Sequence, residues 1–170
     1  MKSKKNLVLL GMMGCGKSTI GSIISKKKKL KFIDVDRTIE KEANSKISKI
    51  FETKGEKFFR NLEEKITIRS LNFSRNIIAL GGGAFLNEKI RKEVLDHNFS
   101  VWLNWDSQTL ISRIKNNNRR PLTFNLSDNQ LLNLILKRSK IYSKSQFKVN
   151  CHKLNKNEIV KKILDLYEND

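Results

Sequence analysis

Apolar residues fall along this chain in two alternating patterns. Short continuous runs, "NLVLL" (6–10), "KFIDV" (31–35), "NIIAL" (76–80), "SVWLNW" (100–105) and "FKVNC" (147–151), have the length and β-branched content of buried strands. Between them lie longer stretches with helical spacing. Residues 17–28 form one, and "EKFFRNLEEKITIRSL" places Phe59, Leu62 and Ile66 on one face. "NEKIRKEVLDH" and "SQTLISRIK" repeat the pattern, "DNQLLNLILKRSKIYS" begins with Asp128 as its expected cap, and Ile159, Val160, Ile163, Leu164 and Tyr167 form a last stripe. Strands alternating with helices predict βαβ units, hence an α/β fold with a mostly parallel sheet covered on both faces.

Two segments break the rhythm. Residues 37–73 are almost wholly helical and longer than one crossover needs, which predicts an inserted helical region. The stretch "NNNRRPLTFNLSD" holds the only proline, Pro121, and separates two helices. Its length predicts a lid, at about residues 116–127. No repeat or linker divides the 170 residues, so one domain is expected.

Chemistry enters at "GMMGCGKST", directly after the first strand. Gly11, Gly14, Gly16, Lys17 and Ser18 satisfy G-x-x-x-x-G-K-[ST]. Glycines let backbone N–H groups close around a phosphate, and the following helix turns its positive end toward the anion. Lys17 reaches the outer phosphates and the Ser18 hydroxyl can bind Mg²⁺. The expected visitor is a nucleoside triphosphate.

The acceptor is approached through "FIDVD". Asp34 and Asp36 lie two apart at the expected end of the second strand, so both can point to one face. They suit a metal shell and the orientation of an attacking hydroxyl; a helix cap and a turn carboxylate are the competing explanation. "GEKFFRNLEE" contributes Arg60, "LGGGAF" a triple glycine after the third strand, "RRPL" Arg119 and Arg120, and "KRSKIY" Arg138.

In order and spacing these pieces resemble the shikimate kinase family, over roughly residues 6–145. The resemblance implies a three-layer P-loop kinase fold of the nucleoside-monophosphate-kinase type, with a central five-stranded parallel sheet flanked by helices, a helical substrate-binding region and a lid. It implies transfer of the γ-phosphate of ATP to the 3-hydroxyl of shikimate with Mg²⁺, in the route to the aromatic amino acids. By motif, Gly14, Cys15, Gly16, Lys17, Ser18 and Thr19 would hold the phosphates. Ser18 would hold Mg²⁺, with Asp34 nearby through water. Asp36 would bind ring hydroxyls and act as the base. Arg60 and Arg138 would grip the carboxylate, Gly82 and Gly83 would touch the ring through backbone, and Arg120 would close from the lid onto the ATP phosphates. One departure stands out: after Tyr142 the family's Tyr-x-Glu-x-Ala gives way to "YSKSQ". "CHKLNKNE" assigns no adenine contact, and His152 is expected at the surface or sheet edge.

Composition changes this picture little. The formal charge is +18. Lysines are scattered apart from "KKKK" at 26–29, and asparagine rises with them, as in a general compositional bias. A nucleic-acid-binding ATPase would need a basic stripe with stacking aromatics, whereas Trp102 and Trp105 sit in a strand pattern. A gluconate-kinase-like enzyme is the nearer alternative. Two cysteines, Cys15 and Cys151, make neither a disulfide framework nor a zinc site. No apolar run approaches the ~20 residues that span a bilayer. A signal-peptide reading of the basic start would sacrifice the phosphate loop. The expectation is a cytoplasmic monomer acting on small molecules, with no nucleic-acid or membrane partner.

Overall fold

The computed structural model describes residues 5–116 and 126–169. Five strands, β1 (Leu7–Leu10), β2 (Phe32–Asp34), β3 (Ile77–Ala79), β4 (Phe99–Asn104) and β5 (Phe147–Asn150), form one sheet in the order β2-β3-β1-β4-β5. Every pairing is parallel, with Leu7 opposite Ile77 on one side and Phe99 on the other. Leu7, Val8, Leu9 and Leu10 are all buried, as expected for a strand covered on both faces. The helices are α1 (Lys17–Lys28), α2 (Val35–Glu42), α3 (Ile47–Leu71), α4 (Glu88–His97), α5 (Ser107–Lys115), α6 (Asp128–Tyr142) and α7 (Lys156–Glu168).

The chain runs from β1 outward to β2, returns to β3 and then crosses to β4. The direction of winding therefore reverses around β1. In parallel sheets that reversal opens a crevice above the carboxyl ends of the strands, and ligands bind there. At the opposite end a buried asparagine precedes each of the three central strands: Asn6, Asn76 and Asn98. Asn6 Oδ1 accepts from the Asn76 N–H at 2.9 Å. Its Nδ2 donates to Asn98 Oδ1 at 2.7 Å and to Leu71 O at 2.9 Å.

Two local expectations change. The second strand ends at Asp34, and residues 35 and 36 already belong to α2. The Asp34 carboxylate caps this helix by accepting the Arg37 N–H, which pulls the chain into helix two residues earlier than the apolar run suggests. Helix α6 is capped by Ser127, not Asp128. The Ser127 hydroxyl accepts the Gln130 N–H while the Gln130 side chain returns to the Ser127 N–H, so the reciprocal box outcompetes the neighbouring aspartate.

The helical stretch between β2 and β3 is α2 followed by α3. Within α3, Gly55 stands at φ 79°, ψ 171°, so the helix is two segments meeting at a break. Side chains other than glycine are strained at that φ. The expected lid falls mostly on residues outside the described ones, including Arg119, Arg120 and Pro121.

Candidate active site

The loop after β1 carries three glycines at positive φ: Gly11 at 141°, Gly14 at 78° and Gly16 at 93°. At Gly11 a Cβ would also lie 3.0 Å from Leu103 O, because the loop turns hard against β4. Gly16 is the N-cap of α1 and no side chain caps that helix. Its first N–H groups therefore stay open toward the loop's hollow, an arrangement suited to an anion. Lys17 is 9% exposed and donates to the carbonyls of Gly11 (2.9 Å) and Met12 (3.0 Å). The Cys15 thiol is buried 3.6 Å from Lys17 Nζ, where it fills space. Ser18 and Thr19 are exposed in the first turn of α1. The Ser18 hydroxyl donates to Asp34 Oδ2 at 2.5 Å, which joins the loop to the end of β2.

Beside the loop lies a cavity of about 730 Å³. Asp34, Asp36, Arg60, Gly82, Gly83 and Arg138 all line it, so residues spread over about a hundred positions meet in one place. Asp34 and Asp36 face this cavity together, though by a different route from the expected strand alternation. Asp34 is a helix cap and Asp36 stands in the first turn of the same helix.

The triple glycine explains how the charged groups fit. None of Gly81, Gly82 and Gly83 has a positive φ, so no turn demands glycine there. Space does. A Cβ at Gly81 would lie 2.6 Å from Asp36 Oδ1 and 2.8 Å from Glu63 Oε1. At Gly83 it would lie 2.5 Å from Arg60 Nη1, and at Gly82 3.3 Å from Met13 N and 3.6 Å from Arg138 Nη1. The missing side chains at Gly81 and Gly83 leave room for charged groups of the cavity, and the one at Gly82 lets the Met13 backbone pass close by.

Sequence reasoning passed over Glu63, which stands one helical turn beyond Arg60. Its carboxylate accepts from Arg60 Nη1 at 2.7 Å and is almost wholly buried. Burial raises the Glu63 pKa above its ordinary value, and Asp36 pushes the same way, against the opposing pull of Arg60 and Arg138. Burial by itself would lower the Arg60 pKa; the charges and hydrogen bonds of Glu63 and Glu56 reverse this and raise it. Arg60 Nη2 also donates to Glu56 Oε1 at 3.2 Å, and the guanidinium lies over the Phe59 ring. The guanidinium is thus fixed from two sides. Only the i, i+3 spacing of Arg60 and Glu63 hinted at this pairing.

Arg138 is held differently. Its Nη1 approaches Met12 Sδ at 3.8 Å, and its Nε is buried with no hydrogen-bond partner among the described residues. One turn later, Tyr142 is buried and donates its hydroxyl to Gly82 O, which braces the glycine segment. Burial pushes the Tyr142 pKa upward, so the phenol keeps its proton. The departure after Tyr142 does not disturb this contact, since α6 ends at Tyr142 itself.

On the far side of the loop, Trp105 Nε1 donates to Cys15 O at 3.0 Å, and the Arg113 guanidinium stacks 3.8 Å above the Trp105 ring. Neither residue was singled out for the site from sequence; a tryptophan following a strand and an arginine two turns later gave no signal of their own. His152 is exposed, with Nδ1 2.8 Å from Asp106 Oδ2. Arg120, expected over the phosphates, lies outside the described residues.

A phosphate cradle at the winding reversal of a parallel sheet, with an open-mouthed polar cavity of small-molecule size next to it, defines a P-loop kinase that phosphorylates a small acceptor. Comparison with known proteins narrows the class. The family model described as shikimate kinase matches residues 13–168. A shikimate kinase from Bacillus licheniformis is 38% identical, with 95% of this chain and 93% of that protein covered. One from Bartonella henselae is 37% identical over 159 residues, 93% of this chain and 76% of that protein. The shikimate kinase of Acinetobacter baumannii, solved in complex with shikimate, superposes with a TM-score of 0.90 at 26% identity, covering 97% of this chain and 93% of that one. The chain belongs to the shikimate kinase family.

Proposed function

We propose that this chain transfers the γ-phosphoryl group of ATP to the 3-hydroxyl of shikimate, with Mg²⁺, in the formation of chorismate and the aromatic amino acids. The observation that carries the reading is the convergence of Asp36, Arg60 and Arg138 in one cavity that opens on the phosphate loop. A ring bearing one carboxylate and several hydroxyls matches that set. Guanidinium groups take a carboxylate in a planar, bidentate way, and a carboxylate accepts hydroxyl hydrogen bonds.

In this reading the backbone of Gly14, Cys15 and Gly16, with Ser18 and Thr19, holds the β- and γ-phosphates. Lys17 exchanges its carbonyl partners for phosphate oxygens. Arg60 and Arg138 orient the acceptor by its carboxylate, and Gly82 and Gly83 contact the ring through backbone. Asp36 then holds the attacking hydroxyl in line with the γ-phosphorus and takes its proton. The Ser18 and Asp34 oxygens, already hydrogen-bonded to each other, are hard donors that would hold Mg²⁺ there. Bound there, Mg²⁺ would neutralise charge on the phosphate oxygens. Arg120 reaches the phosphates from the lid and, with the lid, excludes water.

The proposed partners are ATP and shikimate, with neither nucleic acid nor membrane, and the enzyme works as a cytoplasmic monomer. Among the described residues no helix is long and apolar enough to cross a membrane. The deciding experiment is ADP release with ATP and Mg²⁺, with and without shikimate. Release that depends on shikimate supports the reading. Release that depends on gluconate instead, or on added DNA or RNA, overturns it.

A further inference from the structure

A second cavity, of about 430 Å³, lies along β2, which is the terminal strand of the sheet. Helix α2 and the end of α3 with its following turn complete its walls, and the proposed reaction has no use for it. Its lining is cationic. Lys31, Arg37, Lys41 and Arg69 face it, against the carboxylates of Asp34 and Glu42. Both carboxylates are committed: Asp34 to the Ser18 hydroxyl and the Arg37 N–H, and Glu42 to Arg69. Lys31 and Lys41 form no ion pair among the described residues. Their charge is available to a visiting anion.

The same cavity offers a flat apolar surface. Phe73 is 58% exposed, and Lys31 Nζ stands 5.9 Å from its ring centroid. The ring is not at the end of a loose loop, because Asn6 Nδ2 holds the Phe73 carbonyl. By contrast, the hydroxyls in the wall already have partners: Thr38 Oγ1 donates to Asp34 O and Ser70 Oγ to Ile66 O. A ligand here would be recognised by charge and by ring contact more than by directed hydroxyl bonds. Asp34 and Arg37 line this cavity and the acceptor cavity alike, so they form the partition between the two.

We propose that this cavity is a second ligand site, for a small oxyanion, carboxylate or phosphate, carried on a flat apolar ring. The test uses the full-length enzyme saturated with ADP, Mg²⁺ and shikimate, so that the phosphate loop and the acceptor arginines are already occupied. Benzoate and phenylphosphate are titrated while the backbone amide signals of Thr38, Ser70 and Phe73 are followed by NMR. Acetate and benzyl alcohol supply the anion alone and the ring alone. The expected result is saturable shifts at these three amides with benzoate or phenylphosphate, and much weaker shifts with either half. The tighter of the two probes identifies the oxyanion. Lys41→Gln and Phe73→Ser each weaken that binding about tenfold, with turnover in the absence of probe unchanged. Non-saturable shifts, shifts centred on residues 11–19, or equal affinity in the parent and both variants overturn the proposal. So does benzyl alcohol binding as tightly as benzoate. Should shikimate itself fail to bind in the reference titration, the proposed reaction falls, and the same probes on the ADP complex still decide this site.

Discussion

Replacing Gly83 by alanine tests how the acceptor cavity is built. The backbone at Gly83 is ordinary, at φ −101°, so alanine meets no conformational penalty there. The obstacle is Arg60. The new methyl carbon would lie 2.5 Å from Nη1 and 3.0 Å from Cζ and Nη2. The guanidinium must swing away, which breaks its 2.7 Å bond to Glu63 and removes it from the acceptor's carboxylate. A hydrogen bond between charged groups contributes about 1.5–3 kcal/mol. The shikimate dissociation constant should then rise about 10- to 150-fold, with ATP affinity unchanged. Both follow from titrations of each ligand and from ADP-release kinetics. The decisive variant is Arg60→Ala combined with Gly83→Ala. Once Arg60 is truncated, the methyl group at position 83 enters vacated space. The double variant should therefore match Arg60→Ala alone within about 0.5 kcal/mol. Parental shikimate affinity in Gly83→Ala, or losses that add in the double variant, would refute the argument from space.

Three further outcomes follow from the site. Lys17→Ala should lower saturated turnover by an amount equivalent to about 3–4 kcal/mol in the barrier while circular dichroism stays parental; near-parental turnover would remove Lys17 from the phosphates. Asp36→Asn should lower turnover roughly 10²- to 10⁴-fold and leave stability to denaturant almost unchanged, since Asp34 and not Asp36 caps α2. Unaltered turnover together with unaltered shikimate affinity would sink its assignment to the acceptor. Glu63 ionises above the ordinary 4.5 in the folded chain, chiefly through burial, so the folded state binds the extra proton. Its contribution to stability is fully present below about pH 4.5 and is lost as pH rises through the folded pKa. Glu63→Gln should remove that decline from a plot of thermal midpoint against pH, and equal slopes in parent and variant would show that Glu63 does not titrate there.

The sequence revealed most where a residue's role depends on its neighbours in the chain. The strands are legible because burial on both faces leaves continuous apolar runs, and the phosphate loop because its glycines answer a local backbone demand. Asp34 and Asp36 were legible as a pair but not as structure. A three-residue strand has too little pattern to outweigh a capping carboxylate, and the cap decided where the helix began. Glu63 was invisible for a different reason. Its importance comes from burial against Gly81, some eighteen positions away, and from the charges of Asp36 and Arg138. The triple glycine suggests a backbone that a ligand can touch; what it does not suggest is that side chains at Gly81 and Gly83 would collide with Asp36, Glu63 and Arg60. Such spatial exclusions cannot be read from any window of the sequence.

The two ends of the central strands are treated unequally. Below β1, β3 and β4, three buried asparagines stitch the chain to itself, so that end of the sheet is finished as soon as the polypeptide folds. Above the same strands the protein leaves its seams open: an uncapped helix, a ring of glycines, and an arginine whose Nε has no partner among the described residues. The upper half is thus an unfinished surface that bound molecules complete. Ligands that fill it act as structural members as well as reactants, and each raises the resistance of the fold to unfolding in proportion to the logarithm of its concentration over its dissociation constant. Heat resistance in such a protein becomes a property shared between the chain and the small molecules around it.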